Sequence, residues 1–461
     1  MKKIFIIGSG FSSISASTYL AKKGHDVTVF EKNSTVGGRA RQFKKDGFTF
    51  DIGPSWYWMP DVFESYFNDF GKKVSDYYNL EKLNPAYEVY FNTLDSIKIG
   101  DSLEKICAEF ERIETGSSIL LKRFMKKAEK HYEIAVKDMV YKPGLSPLEL
   151  VNSKTIVRLK YFFTNIKKEV EKDFKNEKLS QILQFPVLFL GAKPSKTPAF
   201  YNFMNHADFG LGTWHPKKGM YSVIEGMKKL AEEMGVSFET NQSVEKIVVN
   251  RNTASGIVSN GEKKYCDVLV SGADYHHTES LLEKKFRSYD KSYWERKIFA
   301  PSSLLFFVGL DKKIKRVSHH TLFFDVDFDE HARVIYDDPA WPKNPLFYAN
   351  FPSITDSTMA PEGQEACFLL IPLAPGIEDT QALRDHHLEI VLSRLETLTK
   401  QTIKKHVLFC ESFCVNDFIS EYNSYKGNAY GMANTLLQTA LLRPKLRSKK
   451  VDNLYFTGQL T

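Results

Sequence analysis

Four apolar residues, Ile4 to Ile7, follow two lysines and stop at Gly8. So short and uniformly apolar a run reads as a parallel strand buried on both faces. From Ser12 to Lys23 the period changes. Ile14, Ala16, Tyr19, Leu20 and Ala21 recur at helical spacing among small residues, and Gly24 is a stop signal. Val27, Val29 and Phe30 then predict a second strand that ends at Glu31.

Further on, "FTFDIGPSW" reads as a strand running into a turn at Gly53-Pro54. Residues 101 to about 183 turn helical, with basic, aromatic-bearing segments such as "LLKRFMKKAEKHYEIAVKDMV" and "TIVRLKYFFTNIKKEVEKDF". Such a region suits an anionic membrane surface, and equally a solvated helix face whose apolar side lies in a core. Alternation of strand and helix returns with a helix over Gly219 to Met234. Strands "VSFET" and "VEKIVV" flank a turn, and "KYCDVLVSGADYHH" is a strand ending at Gly272-Ala273-Asp274. This stretch is expected to continue the first sheet. "SSLLFFVGL", "HTLFFDV", "LFYANF" and "ACFLLIPLAP" predict a second, mostly antiparallel sheet, and "NLYFTGQLT" a last strand and turn. No internal repeat or low-complexity tract interrupts the pattern.

A chain of 461 residues is long enough for two or three domains. With 35 Phe and 22 Tyr it is rich in aromatics, which suits either a large hydrophobic ligand or many aromatic core contacts. The net charge of +7 is modest, and no basic stripe carries a nucleic-acid motif, so no nucleic-acid partner is expected. No signal peptide is visible. The longest apolar candidate span, "ILQFPVLFLGAK", is interrupted by Gln184 and Pro186, so the expected state is soluble or peripheral. Five scattered cysteines fit reduced thiols in a cytoplasmic compartment. The spacing of Cys410 and Cys414 has no second pair nearby, so no metal is assigned.

Strand, glycine turn, helix, strand and acid together are the context that a dinucleotide fingerprint requires. Gly8 permits the tight turn, Gly10 lets the backbone approach a pyrophosphate, and the helix N-terminus offers unpaired N–H groups. Glu31 stands where a carboxylate accepts from both ribose hydroxyls and disfavours a 2′-phosphate, with Lys32 beside it. Ser13 replaces the glycine that packs helix on strand; it is small enough to be tolerated and is expected to cap or bond the turn. Gly37 and Gly38 let a loop pass close to the ligand while Arg39 faces a phosphate. The fold class is therefore α/β. It combines a discontinuous Rossmann-like dinucleotide domain with a substrate domain of helices and a mixed or antiparallel sheet. The expected division is 1–100, 211–290 and 416–461 for the nucleotide domain, 101–210 for the helical region and 291–415 for the second sheet.

"GSGFSS", "EKNSTVGGRA", "DIGPSW", "GTWHPKKGM", "SGADYHH", "YKGNAYG" and "NLYFTGQLT", in that order over the whole chain, resemble the bacterial carotenoid desaturases of the phytoene desaturase type. These are FAD-dependent enzymes related to amine oxidases. The resemblance implies FAD as cofactor, removal of hydrogen from a long-chain polyene (phytoene towards lycopene), and peripheral attachment to the cytoplasmic membrane. Oxygen or a quinone would serve as electron acceptor. Carried over, Gly8, Gly10 and Ser13 would sit at the pyrophosphate turn, Glu31 at the ribose and Arg39 near the phosphates. Pro54, Ser55 and Trp56 would lie toward flavin or substrate, Val244 would give a backbone contact to adenine, and Gly458 would complete the cofactor site. Trp214 and Met220 match the domain junction and, with His215, the substrate side. The family has an aromatic residue at His215 and a glycine at Lys218, so local substrate contacts differ there. Family members also continue past "GQLT" into a turn and a helix that faces the flavin, so the natural chain is expected to extend beyond Thr461.

No acid/base pair is demanded by the residues, and no catalytic residue is assigned. His215, His276, His277, His319, His320, His386 and His387 qualify by type only, and each also fits a structural or surface role. Adjacent histidines such as His276 and His277, on a strand, would point to opposite faces. Another carotenoid or retinoid oxidoreductase or isomerase, or a non-catalytic flavin- or polyene-binding protein, remains an alternative.

Overall fold

The computed structural model describes residues 1–142, 146, 160–439 and 442–461. Its first sheet is parallel throughout, in the order β19 (Leu454–Phe456), β13 (Val268–Ser271), β1 (Lys3–Ile7), β2 (Asp26–Phe30), β9 (Ser237–Glu239). Apolar side chains on both faces of β1 explain its central place. Ile4 and Ile6 pack with Val27, Val29 and with Ile14 of helix α1 (Phe11–Lys22), under Val223 and Ile224 of the helix Tyr221–Glu233. Phe5 and Ile7 face the opposite layer with Leu269, Leu282 and Trp294.

A second sheet of seven strands runs β18 (Val407–Phe413), β14 (Ser302–Leu310), β17 (Glu365–Leu373), β16 (Phe347–Asn350), β15 (His320–Phe323), β6 (Tyr87–Asn92), β7 (Asp95–Ile99). It is antiparallel except where β15 lies parallel to β6. Every residue of β14 is buried, because both faces are covered. Leu305 and Phe307 face the helical region, while Leu304, Phe306 and Val308 face the layer that includes the helix Gln381–Thr399. β6 and β7, from the stretch grouped with the nucleotide region by sequence, pair here and not with β1.

Around the later part of the first sheet, the chain departs from the sequence expectation at three places. "VSFET" joins the first sheet as β9, but "VEKIVV" leaves it. β10 (Val244–Asn250) pairs with β11 (Thr253–Ser259), which pairs with β12 (Glu262–Tyr265), in a separate antiparallel sheet. Glu245 and Lys246 on β10 are exposed, and a strand with polar residues on one face does not suit an interior parallel position. "KYCDVLVSGADYHH" is two strands, β12 and β13, broken at Cys266-Asp267. His276 and His277 lie in the first turn of the helix Tyr275–Ser280, capped by the Asp274 side chain, which accepts from the His277 N–H at 3.1 Å.

Two short antiparallel pairs complete the strands among the described residues: β3 (Gln42–Lys45) with β4 (Phe48–Asp51), and β5 (Leu80–Lys82) with β8 (Trp214–Pro216). In the basic helix Ser117–Lys137, Leu121, Phe124, Met125 and Ala128 enter the core, so its charges are the solvated face. Arg123 and Lys127 pair with Asp173 and Glu169, each at 2.9 Å. Residues 155–159 of the second basic segment lie outside the described residues.

Candidate cofactor and substrate site

At the carboxyl end of β1 the chain turns through Gly8, at φ +82°. A side chain there would strain the backbone and bring a Cβ within 3.2 Å of the Ala273 nitrogen. The Gly8 N–H donates to the Phe30 carbonyl at 2.8 Å, tying the turn to β2. Gly10 precedes α1, whose N-terminus no side chain caps. The first-turn N–H groups therefore face a crevice of about 310 Å³ lined by Gly8, Gly10, Ser12, Glu31 and Lys32. A Cβ built on Gly10 meets nothing within 4 Å, so the room in front of it belongs to the crevice. The Gly37 N–H donates to the Ser9 carbonyl at 2.9 Å. This brings Gly38, at φ +56°, so close that a Cβ on it would stand 3.2 Å from the Gly10 Cα.

Glu31 is buried, and three donors fix its carboxylate. Ser9 donates to Oε2 from its N–H (3.0 Å) and its hydroxyl (2.6 Å), and the Asn33 N–H donates to Oε1 at 2.9 Å. The remaining lone pairs face the crevice, where ribose hydroxyls could donate. Lys32 Nζ is held by the Ser420 carbonyl, and burial pushes its pKa down. Val244, with Gln242 and Ser243, lines the crevice, as does Gly458 at φ +107°.

Arg39 lies deepest. Its guanidinium donates to Ser424 Oγ at 2.8 Å and to the Asn428 carbonyl at 3.3 Å, while Nε is buried without a partner. Burial lowers its pKa, and the Asp274 carboxylate acts the other way. An uncapped helix end, glycines that leave a cradle and an orphaned cationic donor are what a diphosphate requires, so the residues present fit a dinucleotide.

Ser13 departs from expectation. It does not line the crevice and caps nothing: its hydroxyl is buried and unpartnered. A Cβ on Gly272 would stand 2.0 Å from Ser13 Oγ. The close approach of helix to strand, supplied by a third glycine in the fingerprint, is achieved here by a glycine on β13's side of the contact. Ser9, Asn33 and Tyr422 also line the crevice, and sequence reasoning missed them. Ser9 sits inside the quoted "GSGFSS" and was legible there; Tyr422 arrives from a distant helix with no local signal.

A second cavity, about 530 Å³, shares Phe11, Arg39, Pro54, Tyr422 and Gln459 with the crevice. The expected Pro54, Ser55 and Trp56 line it, opposite Leu305, Leu322, Tyr348 and Leu370 of the seven-stranded sheet, with Phe185 and Leu188 closing it from the helical region. Among the described residues on its wall there is no carboxylate.

Trp214, His215 and Met220 line neither cavity, which corrects the expectation that they face substrate. Trp214 donates from Nε1 to the Leu211 carbonyl at 3.0 Å, and Met220 packs under the first sheet. His215 is buried, 3.2 Å from Asp356 Oδ2. These residues hold the chain where it crosses between sheets, a packing role that motif position alone does not distinguish from contact. Lys218, where the family has glycine, adopts φ +71°, the left-handed conformation that explains the glycine.

Below Trp56, Tyr87 donates to the buried Asp208 at 2.8 Å within the π-helical turn His206–Gly210. Burial pushes the Asp208 pKa up to about 8. The folded chain then holds this proton more tightly than the unfolded chain, so stability falls as pH rises from about 4 until the folded carboxyl ionises. Asp51, pushed by burial up to about 6, adds to the lower part of that window. Asp208→Asn is therefore expected to flatten the decline in urea-unfolding stability between about pH 6.5 and about pH 8. A variant with the parent slope would refute the assignment.

Comparison with known proteins agrees with this geometry. The family described as flavin containing amine oxidoreductase matches residues 12–461. A protein named carotenoid 3,4-desaturase from Haloarcula japonica is 40% identical over 463 aligned residues, covering 99% of this chain and 93% of that protein. A 4,4'-diapophytoene desaturase (4,4'-diaponeurosporene-forming) from Staphylococcus haemolyticus is 30% identical, covering 99% and 94%. Among solved structures, an oxidoreductase from Methanosarcina mazei superposes with a TM-score of 0.63 at 16% identity, covering 99% of this chain and 94% of that one. Putrescine oxidase bound to putrescine superposes at 0.59 with 15% identity, covering 99% and 93%. At such identities these two share the fold.

Proposed function

This chain belongs to the flavin containing amine oxidoreductase family, among its carotenoid desaturases, and from that premise we propose that it removes hydrogen from adjacent carbons of a long carotenoid polyene. FAD is its cofactor. Bound there, FAD would supply the hydride acceptor. The Gly8 turn and the first amides of α1 would hold its diphosphate, Glu31 its ribose and Arg39 its phosphates, with Val244 beside adenine. The single observation that carries the substrate reading is the apolar cavity that runs into the dinucleotide crevice over Arg39, Pro54 and Gln459. Such walls exclude water and align a chain that has no polar handle of its own. The lack of a wall carboxylate, among the described residues, speaks against an ammonium substrate.

Phytoene towards lycopene is the step that the sequence motifs imply. The higher identity to a carotenoid 3,4-desaturase favours a second reading, 3,4-desaturation of a chain already partly conjugated. Among the described residues no helix is long and apolar enough to cross a membrane. Attachment to a membrane surface is supported by Val140, Tyr141 and Phe163, exposed beside lysines at the edge of the helical region. One experiment addresses both points. Expressed in cells that accumulate phytoene, and separately in cells that accumulate lycopene, the protein is expected to shift pigment absorbance to the red in one of them and to sediment with membranes. Unchanged pigment in both, with FAD bound, would defeat the desaturase reading. Full recovery in the supernatant at low salt would defeat the attachment.

A further inference from the structure

Removing a hydride from one carbon of a polyene leaves a proton to be lost from its neighbour, and the apolar cavity holds little that can take it. Two histidines stand near its wall. His331 lines the cavity, but both its nitrogens are occupied: Nε2 lies 3.0 Å from the Pro372 carbonyl, and Nδ1 accepts from the Leu346 N–H at 2.9 Å. His320 differs. It lies behind Tyr348 and Trp56, its ring stacked on Trp56 at 4.0 Å between centroids and 11° between planes. Its Nδ1 is 2.6 Å from the Tyr348 hydroxyl and 3.3 Å from the Asn350 side-chain nitrogen. Asn350 Nδ2 can only donate, so Nδ1 is an acceptor and the ring is the neutral Nε2–H tautomer. On its cavity side the Tyr348 oxygen is 2.9 Å from Ser55 Oγ. Ser55, Tyr348 and His320 thus form a hydrogen-bonded line from the cavity wall to a buried basic nitrogen, His320 Nδ1, while Nε2 is buried without a partner.

Resting on the desaturase reading, we propose that this line carries away the proton that the substrate loses. As the C–H bond beside the hydride-losing carbon breaks, its electron pair forms the new C=C bond. The proton joins Tyr348 Oη, and the phenolic proton moves to His320 Nδ1. The substrate is oxidised by two electrons, which leave with the hydride to the flavin. Tyr348 meets the substrate, and His320 acts through it. Behind His320 the rings of His319 (4.5 Å) and His215 (4.7 Å from His319) lead to the Asp356 carboxylate, whose pKa is held low although burial opposes it, with hydrogen bonds from His215 and Thr358 dominating. The Trp56 face favours an imidazolium formed at His320. At rest, burial holds the His320 imidazole well below its ordinary range, so the ring is neutral.

The test uses the FAD-loaded protein, mixed anaerobically with the polyene that it desaturates. Tyr348→Phe and His320→Gln are expected to slow flavin reduction by about 10²–10⁴-fold, with FAD content, polyene Kd and unfolding midpoint near those of the parent. With polyene deuterated at the proton-losing carbon, the isotope effect on flavin reduction is expected to rise in Tyr348→Phe. In the ¹⁵N-histidine spectrum of the holoprotein, His320 is expected as the neutral Nε2–H tautomer. Parent-like reduction rates in both variants would overturn the proposal. So would a loss that tracks FAD content or polyene affinity, an isotope effect unmoved by the substitution, or an Nδ1–H or protonated His320. A parent protein whose flavin no carotenoid reduces would instead sink the desaturase reading, which separates the two failures.

Discussion

Gly10→Ala is expected to yield a chain that folds like its parent yet binds FAD at least about 100-fold more weakly, a loss near 3 kcal/mol. Gly10 sits at φ −71° and ψ 174°, an extended conformation open to any residue, and an added Cβ touches no protein atom within 4 Å. Nothing in the fold resists the methyl group. It occupies the room through which a diphosphate must approach the first amides of α1, and there it replaces a close main-chain contact. Two positions earlier the same substitution acts differently. At Gly8 the left-handed φ and the Ala273 nitrogen at 3.2 Å make alanine a strain on the fold itself. Thermal melts of the cofactor-free proteins beside a flavin-fluorescence titration separate the two effects. Parent-like FAD affinity in Gly10→Ala would refute the placement of the diphosphate, as would a drop in its cofactor-free melting point matching that of Gly8→Ala.

The second large effect concerns the missing third glycine. Gly272→Ala is expected to destabilise the fold by about 1–3 kcal/mol, because its Cβ would lie 2.0 Å from Ser13 Oγ and 3.3 Å from Thr457 Cγ2. Ser13→Ala alone is expected to be near neutral, since the hydroxyl it removes is buried without a partner and alanine suits a helix. Combined with Gly272→Ala it should restore at least half of the lost stability, a coupling of at least about 0.5–1.5 kcal/mol in a double-mutant cycle. Additive effects would show that helix and strand do not meet through this pair.

The N-terminal unit was legible because its signals are local. Ile4 to Ile7 carry a strand period, Ile14 to Ala21 a helical one, and Gly8 sits where the backbone must turn left-handed. Glu31 could be placed because it follows β2 directly. The second sheet was legible as strands, because β14 and β17 are long apolar runs, but not as an arrangement. The parallel pairing of β15 with β6 brings together residues more than 200 positions apart. Motif position misled at Trp214, His215 and Met220, since a residue at a crossing between sheets serves packing and contact alike. His320 carried no sequence signal that set it apart from the other histidines.

What the amino-acid order determined by itself was the dinucleotide turn and the apolar character of the strands, because backbone conformation and burial period are properties of neighbouring residues. Only the tertiary structure decided that Gly272 answers Ser13, that Arg39 is left with an orphaned donor, and that Ser55 meets Tyr348 across 293 positions. Those contacts form when separate layers close on one another, and which side chains then meet follows from sheet order and register, to which no local pattern in the chain is coupled.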